Sequence, residues 1–387
     1  MRWVAVLYFA QGFPFGVFRE VWAVFFRAHG VSLREIGMME LLGLPWIAKP
    51  LWAPLVDRYG DRRKWIAACL VALAATLALH PLFDAAHPGV FVWSVLLLFT
   101  LASATQDIAI DAHTIGFLRR GEEGAANGLR VSAYRVAVIV AGGVLVFLAG
   151  FTGWGPTFLI GGAILLALAP VVLRAPAAEL IAAERKRFFR PFVHWLTRPA
   201  SLPTLLFVLL YKLGDQAISP MIKPFWVDRG LTLQEIGMIS TTLGVTLTIG
   251  GALLGGFLTT RWGLVRGLLV MGLFQAASNL VYALVAFAGG GRAAVYAAGL
   301  FESFTQGLGT AAFLALLMRL CDKEHAGTQY ALLSALFSLV RHVAGAASGW
   351  ATEALGYGPF FLYTFFLAFP ALLLLPWVRR RVEAAER

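Results

Sequence analysis

The chain has 387 residues, of which 59% are apolar and 14% are charged, and its formal net charge is +11. A soluble domain is about 25% charged and about 45–50% apolar, so this composition excludes a soluble fold, which would have too few polar residues for its surface. Cys69 and Cys321 show neither a pairing pattern nor metal-ligand spacing, so no disulfide framework, metal or other cofactor is predicted.

Apolar stretches long enough to cross a bilayer, about 20 residues each, follow one another along the chain. They predict an all-α integral membrane protein with twelve transmembrane helices, at 3–26, 36–56, 65–83, 90–118, 125–149, 155–173, 202–228, 234–260, 265–288, 292–319, 326–351 and 358–378. The first stretch is too long for a cleavable signal peptide and lacks a small-residue cleavage site, so it is interpreted as the first span.

The basic residues divide unevenly between alternate loops of this topology. One side receives most of them, including Arg58, Arg62, Arg63, Arg119, Arg120, the linker residues from Arg174 to Arg198, and Arg379 to Arg381. The other side receives only Arg27, Arg34, Arg229 and Arg292. The positive-inside rule therefore predicts a multi-pass inner-membrane protein with both termini in the cytoplasm. Because the basic residues lie on separate short loops, no nucleic-acid partner is predicted.

The two halves of the chain resemble each other. The segment from Gly30 to Met38 recurs from Gly230 to Met238, Thr105-Gln106 recurs as Thr305-Gln306, and Trp154-Gly155-Pro156 matches Tyr357-Gly358-Pro359. Each half holds six spans, so the halves enter the membrane in the same orientation, as parallel repeats. The predicted domains are a six-helix bundle at 1–173, a cytoplasmic linker at 174–201 that could include an interfacial helix, and a second six-helix bundle with a short basic tail at 202–387.

Thirteen charged residues lie inside the predicted spans, where a central charge costs at least ~2.5–3.5 kcal/mol. Such residues normally face a bundle interior or a water-filled path, so they predict a polar cavity. The bases are Arg19, Lys49, Arg130, Arg135, Lys212, Lys223 and Arg341, and the acids are Glu20, Glu40, Asp107, Asp111, Asp215 and Glu302.

Asp107 and Asp111 are spaced i,i+4 on the fourth span, which places both on one helix face. Arg135 lies about 15 Å along the fifth span by the helical rise, at an intermediate depth, and we predict an Asp107/Asp111–Arg135 network. Arg130 is expected nearer the cytoplasmic water. Two interpretations stay open for the network: a permanent ion pair that joins two helices, or a proton-coupling site in which the arginine exchanges a carboxylate for an anionic substrate.

Other polar positions give further candidates. Lys212 and Asp215 are spaced i,i+3 on the seventh span beside Tyr211, and Glu302 and Arg341 are predicted to pair in the outer half of the bilayer. His113 and His342 are interpreted as satisfied core histidines, with a proton relay as the alternative.

Glycine and proline positions predict packing and gating. Gly251-x-x-x-Gly255 and Gly345-x-x-x-Gly349 are typical of helices that approach closely. Gly12-Phe13-Pro14 could form a gate, because a proline frees a backbone carbonyl. The motifs GxSxG, HExxH and GxxxxGK[ST] are missing, as is a GxGxxG in a strand-turn-helix context. No segment is long enough for a soluble nucleotide domain, so the chain is predicted to be neither an enzyme nor an ATP-driven pump.

The loop after the second span, Asp57-Arg58-Tyr59-Gly60-Asp61-Arg62-Arg63, resembles the signature loop of the major facilitator superfamily. It departs from the pattern at Ala53, where glycine is usual, and at the inserted Asp61. The resemblance implies gating roles for Asp57, Arg58 and Arg62.

Longer stretches narrow the resemblance. Residues 51–59, 103–108, 331–336 and especially 210–215, with the sequence LYKLGD, are similar to the AmpG muropeptide permease family, which is related to acetyl-CoA transporters. This resemblance implies proton-coupled import of anhydro-muropeptides, which are sugars carrying a short acidic peptide.

The sequence therefore predicts a monomeric secondary transporter with the major facilitator fold, working by alternating access on a small polar solute and protons. The alternatives are an importer of a siderophore or an acetyl-CoA-like anion, a receptor without transport, and a membrane-embedded enzyme. Candidate proton carriers are Asp107, Asp111, Asp215 and Glu302; candidate substrate ligands are Lys49, Gln106, Tyr134, Arg135, Tyr211, Lys212, Gln306 and Arg341; candidate gating residues are Gly12, Pro14, Asp57, Arg58 and Arg62.

Overall fold

The computed structural model describes residues 1–58, 61–117, 123–177, 201–320 and 326–386, and every regular element in these ranges is helical. Twelve helices follow one another, and each overlaps one predicted span. They are α1 (2–28), α2 (33–58), α3 (Arg62–Leu82), α4 (Val90–Phe117), α5 (123–152), α6 (Trp154–Leu173), α7 (Ser201–Asp228), α8 (Leu233–Trp262), α9 (Leu264–Phe287), α10 (Arg292–Leu320), α11 (Ala326–Leu355) and α12 (357–386). The predicted linker lies almost wholly outside the described residues.

Much of the helical surface is apolar. Within the described ranges, nine helices, α3 to α10 and α12, are long and apolar enough to cross a membrane. Leu253 on α8, Val90 on α4 and Leu373 on α12 are 71%, 84% and 73% exposed. Large apolar side chains at this exposure are stable where the surrounding medium is lipid. The fold is therefore an all-helical membrane bundle, and a count of twelve spans stays a prediction for α1, α2 and α11.

The helices form two compact units with the same internal pairing. In unit 1, α1 packs against α5, and α3 packs against α4 and α6. In unit 2, α7 packs against α11, and α9 packs against α10 and α12. Each pair in unit 2 lies six helices after its counterpart in unit 1, as the sequence repeat requires.

Glycines permit these helices to approach closely. A Cβ on Gly12 of α1 would lie 2.5 Å from the carbonyl oxygen of Tyr134 on α5. A Cβ on Gly255 of α8 would lie 2.7 Å from the carbonyl oxygen of Leu308 on α10. The close packing predicted for the Gly251-x-x-x-Gly255 pattern is confirmed. Gly12 is a packing residue in this structure, and α1 continues through Pro14 before a π-helical segment at Val17–Val21.

Two helices are interrupted where charged candidates lie. In α2 the α-helical turns give way to a 3-10 segment at Lys49–Leu51, because Pro50 has no N–H to donate to the preceding turn. In α7 the chain leaves the helix after Leu210 and re-enters it at Leu213. A Cβ on Gly214 would overlap the carbonyl oxygen of Thr364, so the restarted helix lies tightly against α12. Lys49 and Lys212 both occupy such breaks.

Two segments are assigned to the unit of the other sequence half. Unit 1 comprises the described residues of Met1–Val31, Leu42–Ala183 and Leu231–Thr241; unit 2 comprises those of Ser32–Leu41, Glu184–Gly230 and Thr242–Arg387. The predicted bundles 1–173 and 202–387 therefore each exchange the start of their second helix. Both crossing points fall within irregular turns, the 3-10 segment Met39–Gly43 and the π segment Ile239–Leu243.

Candidate functional site

The first charge pair of unit 1 joins α2 to α4. Lys49 Nζ lies 3.7 Å from Asp107 Oδ2, and the two side chains are 33% and 11% exposed. The amide of Gln11 on α1 contacts the same carboxylate. The break at Pro50 turns the lysine toward α4, and the partial exposure of Lys49 leaves its ammonium group reachable from solvent.

The second charge cluster of unit 1 surrounds Asp111, one helical turn farther along α4. The Tyr8 hydroxyl donates a 2.8 Å hydrogen bond to Asp111 Oδ1. Arg130 Nη2 lies 3.5 Å from the same oxygen, and its guanidinium carbon lies 4.7 Å from the centre of the Tyr8 ring. Asp111 is thus held by a neutral donor and a cation together.

The predicted network of Asp107 and Asp111 with Arg135 is wrong in its choice of basic residue. Asp107 pairs with Lys49 and Asp111 pairs with Arg130, so among the described residues each carboxylate has its own basic partner. Positions 130 and 135 are five residues apart, which at 3.6 residues per turn places them roughly 140° apart around the helix. Arg130 reaches Asp111 on α4, and both Arg130 and Arg135 are exposed. The base that pairs with Asp111 therefore lies five residues earlier on α5 than predicted.

The other candidates of unit 1 surround these pairs. Gln106 is fully buried, and neither of its amide atoms has a hydrogen-bond partner among the described residues. Within the same ranges Ser103 Oγ, one turn before Asp107, is likewise buried without a partner. Tyr134 is half-buried, with its ring 5.9 Å from that of Phe15 on α1. Buried polar atoms of this kind are usually satisfied by ordered water, so the carboxylates lie beside a polar interior.

Arginines of the signature loop connect three helices of unit 1 by hydrogen bonds. Asp61 caps α3 by accepting a 2.9 Å hydrogen bond from the Arg63 backbone N–H, and the Arg63 guanidinium holds the pKa of the Asp61 carboxyl below its usual value. Arg62 Nη1 donates to the carbonyl oxygen of Ala112, and Arg63 Nη1 donates to that of Ala175. These arginines tie α3 to the ends of α4 and α6. The side chains of Asp57 and Arg58 fall outside the described part of the structure.

Unit 2 contains a charge pair at the break in α7. Lys212 Nζ lies 3.7 Å from Asp215 Oδ2 and donates a 3.1 Å hydrogen bond to Thr310 Oγ1 on α10. The predicted i,i+3 pair is therefore present. The side chains of Lys212 and Asp215 are only 4% and 8% exposed, so neither is reachable by a solute in this structure. Tyr211 stacks on Phe313 and donates its hydroxyl hydrogen to the Leu268 carbonyl, which makes it a packing residue.

The last candidates of unit 2 lie on α10 and α11. Glu302 is 9% exposed and Gln306 is half-buried on α10. Arg341 Nη2 donates a 3.1 Å hydrogen bond to Ser338 Oγ on its own helix. The Glu302–Arg341 pairing stays a prediction. His113 and His342 are each 1% exposed, and His342 faces Glu40, a partner that its position in the sequence did not reveal.

Unit 1 thus contains a largely buried carboxylate beside a partly exposed ammonium group. An ammonium group that loses its carboxylate partner to protonation can accept another carboxylate. Unit 2 supplies a sealed pair with the same chemistry and no access.

The sequence of the chain is similar to those of known proteins. The family model of the Major Facilitator Superfamily matches residues 4–213 and 204–387. The anhydromuropeptide permease of Escherichia coli (strain K12) is 33% identical over 396 residues, covering 98% of this chain and 79% of the permease.

Solved structures share the fold. A bacterial homologue of the human lysosomal transporter Spinster superposes with a TM-score of 0.77 at 14% identity, covering 99% of this chain and 97% of that one. The nucleoside transporter NupG gives a TM-score of 0.74 at 16% identity, covering 96% and 98%. At these sequence identities the structural similarity shows only that the fold is shared.

Proposed function

This chain belongs to the major facilitator superfamily, a family of secondary transporters, and we propose that it imports anhydro-muropeptides together with protons. The protein lies in the inner membrane as a monomer with both termini in the cytoplasm, as the distribution of basic loops favours. Substrate and proton meet in unit 1, and alternating access carries them across the membrane.

The observation that carries this proposal is the Lys49–Asp107 pair. Both groups lie within the bundle, their charged atoms are 3.7 Å apart, and the lysine is one-third exposed. A proton that binds Asp107 removes the negative charge that Lys49 balances. A substrate carboxylate can then replace Asp107 as the partner of the lysine. One proton and one carboxylate enter a neutral pair together, so the site remains neutral while it is loaded.

The substrate class follows from the relatives and from this chemistry. The Escherichia coli relative is named for anhydromuropeptide, and an anhydro-muropeptide carries a short peptide with free carboxylates beside its sugars. Lys49 and Arg130, whose side chains are 33% and 46% exposed, are bases beside the two carboxylates of unit 1 that can bind such a substrate. The hydroxyl of Tyr8 keeps Asp111 oriented toward Arg130.

Uptake into membrane vesicles tests the proposal. Vesicles containing the protein are given an inward proton gradient and labelled anhydro-muropeptide, a ferric siderophore or acetyl-CoA in parallel. We expect accumulation of the muropeptide alone, and its loss when an ionophore collapses the gradient. Accumulation of the siderophore or acetyl-CoA instead would overturn the substrate class. Absence of both uptake and counterflow for all three solutes would favour a receptor without transport.

A further inference from the structure

The repeated motif performs the same structural task twice, once in each unit. In its first copy Ser32 Oγ accepts a hydrogen bond from the Glu35 backbone N–H, and in its second Thr232 Oγ1 accepts one from that of Glu235. The helical part of the first copy, Leu33–Met38 of α2, packs in unit 2 against α11. The second copy, Leu233–Met238 of α8, packs in unit 1 against Leu145–Thr152 of α5. We name these contacts the first clasp and the second clasp.

Glycines at equivalent positions bring the backbones together in both clasps. A Cβ on Gly37 would lie 2.7 Å from the backbone nitrogen of Gly349 and 3.0 Å from the carbonyl oxygen of Ala346. A Cβ on Gly237 would lie 2.7 Å from the backbone nitrogen of Phe147 and 2.8 Å from the carbonyl oxygen of Gly143. Neither position accepts a side chain without separating the helices. The two clasps are therefore equally close-packed.

A polar contact one turn before the glycine also matches. Gln234 Nε2 donates a 2.7 Å hydrogen bond to the carbonyl oxygen of Gly150. The backbone N–H of Arg34 donates a 3.0 Å hydrogen bond to Glu353, and the Arg34 guanidinium stacks on Trp350. Positions 150 and 353 differ by the same offset as the repeated residues Trp154 and Tyr357. Both clasps thus carry a polar contact at the equivalent position, made by a side chain in the second and by the backbone N–H in the first.

The clasps differ one turn after the glycine. In the first clasp Glu40 Oε2 lies 3.3 Å from His342 Nδ1, at ion-pair distance, with side chains 10% and 2% exposed. Gly345 leaves room for the glutamate, since a Cβ there would lie 2.8 Å from Glu40 Cγ. By the same offsets the second clasp carries Ser240 and Ile139 at these positions. Only the first clasp has a titratable pair there.

Other charged residues lie on the elements packed around this pair. Arg34 and Glu35 precede it on α2, where Arg34 is stacked on Trp350 and Glu35 is bound to Ser32. Lys223 lies on α7, whose Pro220 borders Gly345. Arg341 and Glu353 lie on α11 itself.

We propose that Glu40 and His342 form a second proton-binding site, which holds the first clasp together and releases it when a further proton binds. With one proton shared between them, glutamate and histidinium attract each other in a dry environment. With a second proton, histidinium faces a neutral acid and the attraction is lost. The 3-10 turn at Met39–Gly43, where α2 passes from unit 2 to unit 1, is the bend that lets Leu33–Met38 leave α11.

The role of this proton-binding site in transport rests on the proposed function. The first clasp includes the start of α2, which is the outer end of that helix in the proposed topology. A proton arriving from outside meets Glu40 and His342 on this side. Glu40 and His342 are thus positioning residues that link external acidity to the release of α2, while Asp107 carries the transported proton.

Thiol labelling tests the proposal without any substrate. Ile36 of the first clasp is 2% exposed, so an Ile36→Cys variant lacking Cys69 and Cys321 reacts with a membrane-impermeant maleimide only when the clasp is released. A Gly291→Cys variant, on an exposed loop at the same end, reports the pH dependence of the reagent itself. The ratio of the two rates should rise on acidification from about pH 5.5 to about pH 3.5, the range in which a carboxyl beside a histidinium binds its proton, by at most about tenfold per pH unit, the limit for one bound proton.

Glu40→Gln and His342→Gln should both flatten this ratio, because neither variant retains an acid facing a histidinium. Ser240→Ala, the matched change in the second clasp, should leave the pH response intact. A ratio that keeps its response in both Glu40→Gln and His342→Gln, or that never responds in the parent, overturns the proposal. The uptake experiment tests the proposed function independently. If the clasp responds to pH but the protein accumulates no muropeptide, the proton-binding site stands and the proposed function is refuted.

Discussion

In unit 1 the ammonium group of Lys49 lies 3.7 Å from Asp107, and in unit 2 that of Lys212 lies 3.7 Å from Asp215. The lysine is 33% exposed in the first pair and 4% exposed in the second. The same chemistry at the same distance is therefore open in one unit and sealed in the other. A solute can compete for an open pair, whereas a sealed pair in low-dielectric surroundings keeps its partners. Accessibility, more than charge, separates a transport site from a structural one.

The largest expected effect is the loss of proton coupling in Asp107→Asn. Asparagine neither binds nor releases a proton, so substrate movement no longer depends on the gradient. Each coupled proton supports up to about tenfold accumulation per pH unit, and the variant should lose this factor while still exchanging labelled for unlabelled substrate. Uptake and counterflow measured in the same vesicles check this.

A matched control for that variant is Asp84→Asn, because Asp84 is a well-exposed carboxylate outside the spans. It should accumulate substrate as the parent does. If Asp107→Asn still concentrates substrate against its gradient, the open pair does not carry the proton. The difference in exposure between the two pairs would then not explain which of them takes part in transport.

The second expected effect concerns the sealed pair and appears in stability. Lys212→Met leaves Asp215 buried without its cation, which costs about 3–5 kcal/mol in buried pairs and should lower the melting temperature in detergent by roughly 4–6 °C. Lys212→Met with Asp215→Leu removes both charges and should recover most of the loss. The double variant should also transport.

Lys49→Met is the matched variant in the open pair. It should abolish uptake. It also leaves Asp107, whose side chain is 11% exposed, without its cation, so the melting temperature should fall as in Lys212→Met. A double variant of the sealed pair that folds well and fails to transport would show that unit 2 also takes part in the chemistry, contrary to the distinction drawn from exposure.

A smaller effect is expected for Tyr8→Phe. The change removes the 2.8 Å hydrogen bond to Asp111 and leaves the Arg130 contact in place. Loss of one hydrogen bond to a partly exposed carboxylate is worth about 1 kcal/mol, which corresponds to roughly a fivefold fall in uptake rate. Initial rates measured at several pH values check this. A rate equal to that of the parent would mean that the orientation of Asp111 does not limit transport.

The sequence predicted much of this arrangement because hydropathy and repetition are properties of single segments. The spans, the two six-helix halves and the presence of charges such as Asp107 and Lys212 within the bundle all follow from local composition. The Lys212–Asp215 pair could also be predicted, since its members are one turn apart. Helical periodicity therefore predicts contacts within one helix.

Contacts between helices were beyond that information. Glu40 and His342 are separated by about three hundred positions, and the repeat that revealed the motif around Gly37 did not reveal what that motif packs against. The partner of Asp107 depends on how Pro50 bends α2, and that of Asp111 depends on the rotation of α5. A few degrees per residue, which the sequence does not specify, decide such pairs.

The comparison of Arg130 with Arg135 gives the smallest and most selective test. Arg130→Gln removes the cation beside Asp111 and a candidate ligand for the substrate, and we expect uptake to fall by roughly three- to tenfold, within the range for a partly exposed pair plus one substrate contact. Arg135→Gln removes the same charge from the same helix five residues later, where the side chain is turned roughly 140° away from Arg130 around the helix axis. Uptake in this variant should stay within about twofold of the parent. The reverse order of sensitivity, measured as initial rates at matched expression, would restore the network predicted from depth alone and show that α5 turns Arg135 toward α4 during transport.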